Sequence, residues 1–257
     1  MATAIITGAS SGLGEEFALQ LAQERYDLVL VARREDRLRD VAEHAKKHGA
    51  PTTVVIPLDL GTPTAPAEIH RRVTESNLQV DFLVNNAGFG TRGRFDQMPL
   101  EREIEEINLN IVALVGLTRL FLPAMIERRR GTVINVASTA AFQPVPGMAT
   151  YGATKAFVLS FSEALADELR GTGVTAMALC PGPTRTEFQG VANTEDAKMP
   201  RFAYMDAATV VRQAIAAAKR GKALKVNGTM NLLMAESTRF APRFLVRRIA
   251  GAMFRND

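Results

Sequence analysis

The 257-residue chain has no tryptophan, one cysteine and three histidines. The lone thiol, Cys180, cannot close an internal disulfide or build a zinc site by itself, so disulfide scaffolds and thiolate metal centres are excluded. That composition suits a reducing compartment. His44, His48 and His70 fall in stretches of surface-helix character and read as solvated side chains, with no metal cluster in sight. No apolar run reaches the roughly 18 residues that cross a bilayer, and the N-terminus enters a strand-like run with no basic segment before it. A cytoplasmic protein is expected. Charge of one sign is also scarce. The formal net charge is +4, and residues 237–257 account for it through Arg239, Arg243, Arg247, Arg248 and Arg255 against Asp257. The neutral body lacks the basic face with interleaved aromatics that nucleic-acid binding requires, so no nucleic-acid partner is expected.

What is present is ordinary for a globular protein: 47% hydrophobic and 23% charged residues, with 19 Gly and 12 Pro. This balance excludes collagenous and disordered classes. Short apolar runs at Ala4–Thr7, Leu28–Ala32, Thr53–Pro57, Phe82–Asn85, Thr132–Val136 and Thr175–Leu179 alternate with helical-period segments such as 15–25, 35–48, 100–126 and 151–170. Strands that are apolar without period-two alternation are buried on both faces. The pattern therefore predicts a single-domain α/β protein over 1–257, a doubly wound parallel sheet with helices on both faces. Residues 186–206 break the alternation and read as a substrate-covering excursion, and 229–257 as a basic helical tail.

The first run, Ala4–Thr7, leads directly into Gly8-Ala9-Ser10-Ser11-Gly12-Leu13-Gly14 and then into a segment opened by Glu15 and Glu16. A strand, a glycine turn and a helix in that order let the backbone approach a pyrophosphate and aim helix N-terminal N–H groups at its charge. An ordinary βα turn has the same outline. There is no G-K-[ST] for a P-loop, which disfavours ATP chemistry.

The run Thr7-Gly8-Ala9-Ser10-Ser11-Gly12-Leu13-Gly14 resembles the nucleotide signature of the short-chain dehydrogenases/reductases. Asn85-Asn86-Ala87-Gly88 matches that family's N-N-A-G, and Tyr151-Gly152-Ala153-Thr154-Lys155 its Y-x-x-x-K. Ser138 lies thirteen residues before Tyr151, and Pro181-Gly182 with Thr186 matches P-G-x-x-x-T. The resemblance covers residues 3 to about 190. It implies an oxidoreductase that contacts a dinucleotide through Gly8, Ser10, Ser11, Gly12, Leu13, Gly14, Asn86, Ala87, Gly88, Tyr151, Lys155, Pro181, Gly182, Thr184 and Thr186. It also implies that Asp59 and Leu60 meet the adenine, although Asp59 could equally cap the next helix. The family's asparagine stands thirteen residues before a Leu-Pro proline. Counting back from Leu122-Pro123 gives Asn110, with Asn108 as the fallback, for a water-mediated proton relay to Lys155.

The second strand ends in Ala32-Arg33-Arg34, where an NAD-preferring enzyme would carry an acid for the ribose 2′-OH. With the acid missing, Arg33 and Arg34 point to NADP(H), since a guanidinium offers a 2′-phosphate a fork of donors. The same arginines could instead belong to a solvated helix start. Tyr151 and Lys155, four apart on a helix, share a face. A cation about 4 Å away would lower a tyrosine by about three pKa units, enough to make the hydroxyl an acid–base catalyst. Ser138 would polarise the same carbonyl oxygen. Phe89, Phe142, Met148, Phe188, Met199, Phe202 and Tyr204 are expected to line the pocket, which suits a hydrophobic carbonyl or alcohol substrate. A non-catalytic NADP(H)-binding regulator on the same fold is the alternative, and a sugar-nucleotide epimerase is disfavoured by length. Ile104–Leu122 is apolar nearly all round and, with Phe157, Phe161 and Leu165, predicts a homodimer or homotetramer. Phe240, Phe244, Leu245, Ile249 and Met253 alternate with arginines, which predicts an amphipathic helix that packs on the body or a neighbouring subunit, or else meets an anionic membrane.

Overall fold

The computed structural model describes residues 2–184 and 203–254, with Glu187, Gly190 and Ala192 between them. Its centre is a seven-stranded parallel sheet in the order β3-β2-β1-β4-β5-β6-β7. The strands are β1 (Thr3–Thr7), β2 (Asp27–Ala32), β3 (Thr53–Pro57), β4 (Val80–Asn85), β5 (Gly131–Val136), β6 (Val174–Cys180) and β7 (Leu224–Val226). Continuous burial explains the absence of alternation: every residue of β1 and β2 is buried. One core layer packs Phe17, Leu21 and Ile215 against Ile6 and Leu30, and the other packs Ile69, Leu117 and Phe121 against Ile5 and Val29. Each is helix apolar surface laid on one face of the sheet.

The helices among the described residues are α1 (Gly12–Gln23), α2 (Glu35–Lys47), α3 (Ala65–Glu75), α4 (Leu100–Ile107), α5 (Leu114–Glu127), α6 (Ala149–Glu168), α7 (Ala207–Lys219), α8 (Thr229–Ser237) and α9 (Arg243–Phe254). The helix expected around His70 is α3, whereas α7 and β7 answer to no element read from the sequence. Helix α3 carries Pro66 in its first turn, where the missing N–H costs nothing, and β7 is only 3 residues long. The expected single tail helix is two, α8 and α9, separated by a break that contains Pro242.

Helices α4 and α5 are joined by a π-helical stretch, Asn108–Ala113, so Leu100–Glu127 winds on continuously. Its most apolar 18-residue window has a mean hydropathy of 1.9, long and apolar enough by composition to cross a membrane. This corrects the expectation that no run reaches that length. Its contacts with α3, β4, β5 and α6 make it a layer of this fold. One side of the stretch is buried, at Leu114, Leu117 and Phe121, and the other is apolar and open in the single chain, with Ile104 and Val112 each 47% exposed. His70 differs too, since its ring rests on Phe121 with centroids 5.1 Å apart.

The chain winds outward from β1 through β2 to β3, then returns to β4 on the other side of β1. The carboxyl ends of β1 and β4 therefore diverge at a topological switch point, where an open α/β sheet leaves a crevice for a ligand.

Candidate active site

A cavity of about 630 Å³ opens at that switch point and runs from the glycine turn to the C-terminal helices. Thr7 and Asn86 build its floor. The Thr7 hydroxyl accepts from the backbone N–H groups of Asn86 at 2.9 Å and Ala87 at 3.0 Å, and donates to the Val84 carbonyl at 3.2 Å. The Asn86 amide donates to the Thr7 carbonyl at 2.8 Å and the Gly8 carbonyl at 3.3 Å. Asn86 thus lines the cavity while clasping the two strand ends together. Gly8 sits at φ +65°, and a side chain on Gly14 would collide with the Gly8 carbonyl. The glycines answer a steric demand of the turn.

Ser11 precedes α1 without a side-chain cap, so the first N–H groups of the helix stay unpaired by it where Ser10, Ser11, Gly12 and Leu13 line the cavity. An uncapped N-terminus at a cavity wall is a seat for an anion, and the donor set fits a dinucleotide pyrophosphate. Arg33 and Arg34 line the same end. Arg34 donates to Glu187 at 2.8 Å and to Ser10 at 3.3 Å, whereas Arg33 is exposed and has no ion pair among the described residues. Arg33 therefore meets no carboxylate among the described residues that would compete with a further anion. Asp59 and Leu60 line the cavity. Asp59 accepts from the Gly61 N–H at 2.9 Å, and α3 begins later behind Thr64. The capping alternative is thereby removed.

At the inner end Ser138 caps a short 3₁₀ turn, Thr139–Phe142, by accepting from the Ala140 N–H at 3.1 Å. Its hydroxyl also bonds the Tyr151 side chain. Tyr151 and Lys155 descend one face of α6, 8% and 5% exposed. The Lys155 ammonium donates to the Val136 carbonyl at 2.8 Å and lies 5.7 Å from the Tyr151 ring centroid. Burial pushes Lys155 down to about 8 and the Tyr151 hydroxyl up to about 12, the latter against a smaller opposing pull from the Ser138 bond. The expected lowering of Tyr151 by its lysine is therefore not realised in this arrangement. Loss of solvent dominates, and Lys155, itself disfavoured as a cation by burial, is not among the groups that oppose it.

Asn110, in the π-helical stretch, is the asparagine that reaches this end. It is buried, accepts from Phe89 N–H at 3.1 Å, and donates to the Phe89 carbonyl at 2.9 Å and Thr154 at 3.1 Å. A Cβ on Gly88 would lie 2.8 Å from the Asn110 amide oxygen and 3.4 Å from the Lys155 nitrogen, so the glycine leaves both room. Pro181, Gly182 and Thr184 border the cavity, with the Pro181 carbonyl accepting from Thr139 N–H at 3.0 Å. Phe89, Phe142, Met148 and Tyr204 line it as expected, joined by Val145, Met234 and Leu245. Thr186, Phe188, Met199 and Phe202 lie outside the described residues.

One feature behind the site escaped the sequence reading. The Thr91 hydroxyl lies 3.0 Å from Glu103 and 2.7 Å from Glu106, while Thr150 donates to the other Glu103 oxygen. One hydroxyl has one proton, so Thr91 can donate to only one carboxyl, and the other must donate to it. Glu106, fully buried, is the protonated partner. Burial raises Glu106 to about 7 from 4.5. Native Glu106 thus binds a proton that the unfolded chain has released between those values, and stability falls as pH rises through that window, by about 3 kcal/mol at most. Glu106→Gln removes the titration and keeps the shape. Its melting temperature relative to the unmutated protein should rise by several degrees between about pH 5 and about pH 8. Parallel pH profiles would contradict the assignment.

The model of the short chain dehydrogenase family matches residues 2–197. A short chain dehydrogenase of Pseudocercospora fijiensis is 38% identical over 190 residues, covering 72% of this chain and 60% of that protein. The ketoacyl reductase HetN of Nostoc is 32% identical over 238 residues, 92% of this chain and 82% of the relative. Among solved structures, a short-chain dehydrogenase from Sphingobium yanoikuyae in complex with NADPH superposes with a TM-score of 0.83 at 32% identity, over 93% of this chain and 94% of that one. The chain is an oxidoreductase belonging to the short-chain dehydrogenase family.

Proposed function

We propose that the protein transfers hydride between NADP(H) and a hydrophobic carbonyl or alcohol substrate in the cytoplasm, with Tyr151 as the acid–base residue. The observation that carries the reading is that Ser138 and the buried Tyr151 and Lys155 converge where a cavity that starts at an anion-receiving glycine turn becomes apolar. Bound NADPH would supply the hydride. Gly8 to Gly14 would hold its pyrophosphate, Arg33 its 2′-phosphate, and Asp59, Leu60 and Asn86 to Gly88 its adenosine portion.

During reduction Ser138 donates to the carbonyl oxygen and draws charge onto it. As that oxygen takes up the electron pair of the C=O bond, Tyr151 gives it its proton. The high pKa of Tyr151 suits this direction, because the phenol is loaded with its proton throughout the physiological range. Lys155 replaces that proton, and Asn110, beside Lys155 across Gly88, holds the water that resupplies it. Alcohol oxidation needs the phenolate and should climb with pH. The apolar lining by Phe142, Val145, Met148 and Leu245 favours a bulky or acyl-chain ketone, and the likeness to a ketoacyl reductase supports the same class.

Tyr151→Phe removes the proton and leaves the ring, so turnover should fall by about 10²-fold or more while NADPH binding persists. Retention of most of kcat would contradict the mechanism. Arg33→Ala should weaken NADPH by about tenfold to a hundredfold and leave NADH nearly unchanged, as titrated by cofactor fluorescence. Equal losses for both cofactors would remove Arg33 from the phosphate site.

The same reading includes a homodimer, or a tetramer built from it, through α4 to α6. Ile104, Val112 and Phe157 expose apolar surface there, and Phe157 stacks on Phe161 with ring planes 9° apart. Light scattering across a dilution series should give at least twice the 27.9 kDa chain mass. A monomer at every concentration would refute the interface.

A further inference from the structure

Fourteen large apolar side chains stand exposed among the described residues, and eight of them fall between Met230 and Ile249. Leu233 is 58% exposed, Phe240 89%, Phe244 63% and Ile249 53%. Exposure on this scale is concentrated in two consecutive helices that line one cavity, and a soluble surface rarely carries so much without a partner.

The patch is continuous with the site. Met234, Leu245 and Ile249 are exposed on the outside and also line the cavity, so the apolar surface runs from its mouth onto α8 and α9. Val246 and Ala250, also cavity-lining, turn the other side of α9 inward and are buried.

The charge around this surface has one sign. Arg239, Arg243, Arg247 and Arg248 are exposed, and in helical order Phe244 stands between Arg247 and Arg248. The acid within α8 and α9 is Glu236, already paired with Arg239 at 3.1 Å. Arg243, Arg247 and Arg248 have no ion pair among the described residues.

We propose that α8 and α9 dock the protein on an anionic phospholipid bilayer, with the cavity mouth toward the lipid. The arginines meet phosphate headgroups, and Leu233, Phe240 and Phe244 enter the headgroup–acyl boundary. Arrival of the hydrophobic substrate from that bilayer rests on the oxidoreductase reading; the docking itself does not. A nucleic acid would satisfy the arginines but offers the apolar side chains no acyl phase. A second copy meeting this face about a two-fold axis would bring the same arginines together with no carboxylate from α8 or α9 but Glu236, which is already paired with Arg239.

The test is co-sedimentation of the full chain with vesicles of phosphatidylcholine containing about one-third phosphatidylglycerol, against phosphatidylcholine alone, at physiological salt. Binding should be at least about tenfold stronger on the anionic vesicles. The pairs Arg247→Glu with Arg248→Glu, and Leu233→Ser with Phe244→Ser, should each lower it about tenfold or more. These side chains lie outside the cavity lining, so the variants should keep the unmutated melting temperature and turnover of a water-soluble ketone. Failure to bind anionic vesicles, or binding that neither pair disturbs, overturns the docking. So does a concentration-dependent association abolished by Phe244→Ser, which would give the face to a second copy. If vesicle binding holds and no ketone is reduced, the oxidoreductase reading fails alone.

Discussion

The site depends on the clasp between Thr7 and Asn86. Their hydrogen bonds join the ends of β1 and β4, the two strands from which the chain departs in opposite directions. With these ends fixed, the glycine turn after β1 and the Asn86–Gly88 loop after β4 form opposite walls of one cavity. Without the clasp, the carbonyl of the buried Thr7 would lose the Asn86 amide as partner, at a cost of about 1 to 3 kcal/mol. The Asn86 amide also lies close to where a side chain on Gly8 or Gly14 would go, which ties the glycines to the asparagine as one construction.

Burial then sets the chemistry. The same removal from water holds Tyr151 protonated and lowers Lys155 toward its neutral form, so the proton donor is loaded and the residue behind it exchanges protons near physiological pH. The pair thus favours reduction in this arrangement. Further back, Glu106 keeps a proton of its own among Thr91 and Glu103, and its charge, when it forms, raises Tyr151 further.

The sheet was legible because parallel strands buried on both faces leave continuous apolar runs, and Asp27–Ala32 has one such run. The glycine turn and the Tyr151–Lys155 spacing were legible because each is local: four residues on a helix fix a shared face. Choosing Asn110 over Asn108 required counting from Pro123, and the π-helical stretch that carries both could not be read from periodicity. The Thr91–Glu103–Glu106 cluster was hidden because its members come from a loop and a helix, and a glutamate in a charged helix ordinarily faces water. The direction of the Tyr151 shift was missed for a related reason: spacing gives the distance to a cation, but the loss of solvent depends on the whole surrounding fold.

The central claim is that hydride passes directly from the nicotinamide to a carbonyl carbon held at Ser138 and Tyr151. NADPH deuterated at the transferred position of nicotinamide C4, incubated with the enzyme and a bulky or acyl-chain ketone, tests it most directly. Mass spectrometry of the alcohol should find the deuterium on the carbinol carbon, one atom per NADPH consumed. An alcohol formed without the label, or cofactor bound with no ketone reduced, would contradict the account.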